Sequence, residues 1–91
     1  MKKAYQLNIK GRVQGVFYRA SMRNMASELG IMGYVCNQMD GSVYAEIEGS
    51  EDKLNQLIAW CKVGPSGAKV EEVNILPQSE KGYKSFEIRR F

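Results

Sequence analysis

Apolar and polar residues alternate from Ala4 to Lys10. Tyr5, Leu7 and Ile9 fall on one face and Gln6, Asn8 and Lys10 on the other, as in a half-buried strand. Gly11 and Gly15 bracket a loop. The period then lengthens: Tyr18, Met22, Met25, Ala26 and Leu29 follow helical spacing, with Arg23, Asn24, Ser27 and Glu28 on the opposite side. Gly30 is placed to end this helix in a left-handed conformation. Residues 31–37 predict a second strand, Gln38–Gly41 a turn, and Val43, Ala45 and Ile47 the inward face of a third strand. Ser50, followed by Glu51 and Asp52, predicts the start of a second helix, which buries Leu54, Leu57, Ile58 and Cys61. The G-P-S-G run at 64–67 breaks the chain. Val70, Val73 and Ile75 mark a fourth strand, and Tyr83, Phe86 and Ile88 a short last one.

The order is βαββαβ with an extra strand. An α+β architecture satisfies it economically: a ferredoxin-like α/β sandwich, one antiparallel sheet with both helices on a single face. With 91 residues and 44% apolar composition, residues 1–91 are expected to form one domain around one core. No apolar run reaches the roughly 20 residues of a membrane helix, and the first residues lack a signal-peptide h-region. The expectation is a cytoplasmic protein with no membrane partner.

Charge is distributed unevenly. Residues 1–27 hold Lys2, Lys3, Lys10, Arg12, Arg19 and Arg23 and no acid, whereas the remainder carries a net negative charge within an overall +3. A basic first third is suited to steering an anionic partner, although charge alone fits a solvated edge better. The chain has no His and no C-x-x-C pair. The usual zinc ligands, heme ligands and His-based triads are therefore missing. For Cys36 and Cys61 buried free thiols are the preferred reading, and a single disulfide between them is the open alternative.

Candidate chemistry concentrates in two stretches. G-R-V-Q-G-V-F-Y-R at 11–19 joins a strand to a helix N-terminus, where unpaired N–H groups gather. Gly15 permits close backbone approach, so the amides of about residues 15–19 are able to curl round one phosphate group as a nest, to which Arg19 can add a guanidinium fork. On glycine spacing alone, a tight turn with a surface arginine is the better reading. The second stretch, G-Y-V-C-N-Q-M-D-G-S-V at 33–43, places Asn37 where a strand ends. Its amide both donates and accepts hydrogen bonds, which suits holding a water, but an Asn near a turn is usually a turn former. Asp40 precedes Gly41, and its expected task is the hairpin turn.

Taken together, V-Q-G-V-F-Y-R at 13–19, L-G at 29–30 and G-Y-V-C-N-x-x-x-G-x-V at 33–43 resemble the acylphosphatases. The resemblance continues through Gly49, G-P-S-G-A-K-V at 64–70 and F-E-I at 86–88. Tyr18 stands where that family often has Phe, and Cys36 where it often has a basic residue. The resemblance implies hydrolysis of acyl phosphates without metal, cofactor or covalent phosphoenzyme. It implies a substrate-binding loop of Gln14, Gly15, Val16, Phe17, Tyr18 and Arg19, with Arg19 on the phosphoryl group and Asn37 orienting the attacking water. Inorganic phosphate is the expected product and competitor, and a monomer the expected state.

An RNA-recognition motif shares the element order but needs aromatics on the open face of its central strands. Gln6, Asn8 and Lys10 with Tyr44, Glu46 and Glu48 make a poor stacking platform, so no nucleic-acid partner is expected. A chain of 91 residues beginning at Met favours a stand-alone enzyme over a module of a larger carbamoyl-phosphate-handling protein.

Overall fold

A computed structural model describes residues 1–90. The elements follow in the order β1 (Lys2–Arg12), α1 (Tyr18–Leu29), β2 (Met32–Asn37), β3 (Val43–Ser50), α2 (Glu51–Cys61), β4 (Lys69–Pro77) and β5 (Phe86–Arg89). The described residues form a five-stranded sheet in the order β4-β1-β3-β2-β5. β1 lies between β3 and β4 and is antiparallel to both, while β2 and β3 form the expected hairpin.

Two features differ from expectation. β5 pairs with β2 in parallel, so the sheet is mixed rather than wholly antiparallel. The cause is the connection: β4 and β5 occupy opposite edges, and β4 runs against β2. A chain that leaves the end of β4, crosses the sheet and turns back must rise alongside β2. The second difference is β1, which continues beyond Lys10 through a register shift at Lys10/Gly11. Gly11 permits this at φ 127°, because a Cβ there would lie 2.2 Å from the Lys69 carbonyl oxygen.

The alternating apolar positions meet the helices as predicted. Leu7, Ile9, Val35, Val43, Ala45 and Ile47 pack with Tyr18, Met22 and Ala26 of α1 and Leu54, Leu57, Ile58 and Cys61 of α2. Cys36 and Cys61 are buried and free. Burial pushes the Cys61 thiol up to about 12, against a small opposing effect of the Tyr18 hydroxyl. Gly30 ends α1 at φ 71°, and the Ile31 N–H reaches back to the Ala26 carbonyl at 2.9 Å. Ser50 precedes α2 but makes no side-chain cap; the Glu51 N–H donates instead to the Met1 carbonyl at 2.9 Å.

The opposite face of the sheet is not open, because residues 78–83 lie across it. Glu46 and Glu48 on β3 are only 4% and 2% exposed. The Glu46 carboxylate accepts from the hydroxyls of Tyr83 and Tyr44, each at 2.7 Å, from Tyr34 at 3.2 Å and from Gln78 Nε2 at 3.0 Å. Lys81 Nζ stands 2.9 Å away. Glu48 accepts from the backbone N–H groups of Lys81, Gly82 and Tyr83. The crossing segment thus supplies most of the donors that two buried carboxylates need, and Tyr34 and Tyr44 of the sheet supply the rest.

Burial raises the Glu46 pKa, but the bonds from Tyr83, Gln78, Lys81 and Tyr44 outweigh it and hold the carboxyl at about 2, down from 4.5. A depressed pKa contributes stability that is complete above the unfolded value and lost as pH falls toward the folded one. At 1.36 kcal/mol per unit this contribution is about 3 kcal/mol. Glu46→Gln is therefore expected to lower the urea midpoint markedly at pH 7 and to narrow the gap to wild type between pH 4.5 and pH 2. A gap independent of pH across that window would refute the assignment.

Candidate active site

The loop between β1 and α1 is shaped by two left-handed residues. Gly15 has φ 74°, and Phe17 at the helix N-cap has φ 63° and ψ 24°. That conformation costs an ordinary L-residue about 1–2 kcal/mol. Left-handed residues of this kind are the backbone elements from which anion nests are built. The first N–H of α1 to find a backbone acceptor is that of Ser21, on the Phe17 carbonyl at 3.0 Å. Among the described residues, the amides of 15–20 donate to no protein acceptor, leaving the positive end of the helix dipole available.

The side chains of the loop have different surroundings. Gln14 Nε2 donates to the carbonyls of Gln38 and Ser42 at 2.8 and 2.9 Å, which fastens the loop to the β2–β3 hairpin. Val16 packs against the core. Tyr18 is buried, with its hydroxyl on the Cys61 carbonyl at 2.7 Å and its ring 5.2 Å from that of Trp60. The Tyr18 side chain is thus a structural anchor, while its backbone amide has no protein acceptor among the described residues. Phe17 is 81% exposed at the lip. Asp40 serves the turn as expected, accepting from the Ser42 hydroxyl and N–H at 2.6 and 2.9 Å. These bonds hold its carboxyl below the ordinary range.

A cleft of about 320 Å³ brings Gly15, Phe17, Tyr18 and Arg19 together with Asn37, Ile88 and Arg90. A neighbouring cleft of about 230 Å³ is lined by Arg19, Asn37, Arg89 and Arg90. Arg19 and Asn37, distant in sequence, therefore share both. Asn37 Oδ1 is buried with no hydrogen-bond partner among the described residues. An unmet buried acceptor costs about 1–3 kcal/mol, so its position is notable. Burial raises the Cys36 thiol pKa while Arg19 and Arg89 oppose this, a measure of the positive potential here.

Sequence reasoning missed Arg89 and Arg90. Arg89 is the register partner of Cys36 in the parallel β2–β5 pair. Its guanidinium lies 4.2 Å from the centre of the Tyr34 ring and its Nε 3.5 Å from Glu87. The one available signal was two adjacent arginines just after a short apolar alternation. The basic first third is also less unified than its charge implied. Lys2 pairs with Glu80 at 3.7 Å and Lys3 with Glu51 at 3.2 Å. Of those six cations, Arg19 alone lines either cleft.

Known proteins are similar in sequence and in fold. The acylphosphatase family model matches residues 5–88. An acylphosphatase of Albidiferax ferrireducens is 47% identical over 85 residues, covering 93% of this chain and 91% of its relative. The structure superimposes on an acylphosphatase from Coxiella burnetii with a TM-score of 0.93 at 34% identity, covering 97% of this chain and 93% of that one. For an acylphosphatase from Bacillus subtilis the TM-score is 0.94 at 31% identity, with 99% and 100% covered. The match spans the β1–α1 loop, the end of β2 and nearly all of β5, and the chain belongs to the acylphosphatase family.

Proposed function

We propose that this chain hydrolyses the carboxyl–phosphate bond of acyl phosphates, releasing a carboxylate and inorganic phosphate. The observation that carries the reading is the buried, unpartnered Asn37 Oδ1 in a cleft shared with Arg19 and the loop amides. The amides of residues 15–19 and the Arg19 fork bind the phosphoryl oxygens. Asn37 Oδ1 accepts a hydrogen bond from a water, whose lone pair is then directed at phosphorus. The water oxygen bonds to phosphorus, and the bond from phosphorus to the acyl oxygen breaks with its electron pair leaving on the carboxylate. The water's proton passes to a phosphoryl oxygen of the substrate.

This division of labour asks little of the protein. The conjugate acid of the leaving carboxylate has a pKa of about 4, so departure needs no general acid. What remains is positioning and stabilisation of charge on the transferring group. An alkyl phosphate differs, because its alkoxide has a conjugate acid with a pKa near that of water, about 15.7. We therefore expect rapid hydrolysis of benzoyl phosphate and almost none of a simple alkyl phosphate, with a metal chelator present. Inorganic phosphate is expected to compete with substrate. Comparable rates on the two compounds, or loss of activity with chelator, would overturn this account.

A further inference from the structure

The two clefts hold more positive charge than one phosphoryl group requires. They share Arg19, Asn37 and Arg90, and among the described residues neither is lined by an acidic side chain. Arg89 is already engaged by Glu87 and by the Tyr34 and Tyr83 rings. Arg90 is different, being exposed and having no ion pair or ring contact among the described residues. One step beyond the Cys36–Arg89 register pair, the next residues of the two segments are Asn37 and Arg90. Strand alternation puts Arg90 on the same side as Ile88, which also lines the larger cleft. Phe17 and Ile88 thus add apolar surface to the cleft that the loop shares with Arg90.

We propose that Arg90 binds a second anionic group, carried on the acyl part of the substrate. The inference rests on the acylphosphatase reading and refines it: Arg19 takes the phosphoryl end, Phe17 and Ile88 flank the acyl body, and Arg90 meets its far charge. Among the described residues these guanidinium groups gather with no acid lining the clefts, an arrangement that favours an anionic guest. A doubly charged substrate meets that positive charge at both ends, whereas a substrate with a neutral acyl group meets it at one. Arg90 is accordingly a specificity-determining residue, and its chemistry favours acyl phosphates of acids that carry a further carboxylate or phosphonate.

The test uses rigid probes whose added charge cannot attack the anhydride internally. The purified chain is assayed on benzoyl phosphate, 4-carboxybenzoyl phosphate and 4-phosphonobenzoyl phosphate, each kcat/KM being divided by the compound's spontaneous hydrolysis rate. Wild type is expected to prefer at least one charged probe over benzoyl phosphate. Arg90→Gln should lower that preference about fivefold, within the range of an exposed charge pair. Arg90→Glu should lower it further, and Arg90→Lys should retain part of it. High salt should bring wild type toward Arg90→Gln, since such contacts are screened. The carboxylate and phosphonate arms reveal which anion the site prefers, and a preference for either that Arg90→Gln removes supports the proposal. An unchanged preference in Arg90→Gln overturns the second-anion site and leaves the acylphosphatase reading standing. Failure of wild type to hydrolyse benzoyl phosphate would overturn both.

Discussion

Replacing Arg19 with alanine is expected to lower kcat/KM on benzoyl phosphate by about 10³-fold or more, the scale on which a phosphoryl-binding arginine acts. The fold should survive the change. The Arg19 side chain is half-buried and makes no ion pair among the described residues, so its truncation strands no buried partner. Arg19→Lys should fail nearly as badly, since an ammonium offers a point charge where a planar two-pronged donor is needed. Steady-state kinetics with circular dichroism and urea unfolding check both claims. Near wild-type kinetics in Arg19→Ala, with the fold intact, would exclude Arg19 from phosphoryl binding.

Asn37→Ala should lower kcat by about 10²–10³-fold with a much smaller change in KM. The magnitude is that of losing one well-placed polar group that acts mainly in the transition state. Stability should respond in the opposite sense. Asn37 Oδ1 is a buried acceptor with no protein partner among the described residues, so the side chain stabilises the free enzyme little. We expect the Tm of Asn37→Ala to equal or exceed that of wild type. A residue that is costly to keep and costly to lose from the reaction is one retained for chemistry. A large rise in KM at unchanged kcat would make Asn37 a ground-state binding residue instead.

Local chemistry made much of this molecule legible in its sequence. Alternation located β1 and β3 because one face of each packs under helices, and Leu54, Leu57, Ile58 and Cys61 disclosed the inner stripe of α2. Gly30 marked the end of α1 because few other residues tolerate its left-handed conformation. Arg19 and Asn37 were legible through the pairing of two motifs, and the structure brings them to one cleft. Other features depend on contacts that no local pattern encodes. Glu46 and Glu48 occupy alternate positions that read as solvated, yet a distant segment supplies most of their donors. Arg89 and Arg90 join the site only because β5 pairs in parallel with β2, a consequence of the long crossing from β4. Gln14 sat in the expected binding loop, but its side chain serves the hairpin.

The strand order β4-β1-β3-β2-β5 has a kinetic consequence. Only β2 and β3 are neighbours both in sequence and in the sheet. Every other pairing must close a long stretch of chain before it gains any hydrogen bonds, which raises contact order and slows folding. The hairpin can therefore form early without creating a site, because the clefts also need the β1–α1 loop and the end of β5. In a refolding experiment, backbone signals should recover ahead of catalytic turnover. Regained activity then reports the docking of the edge strand.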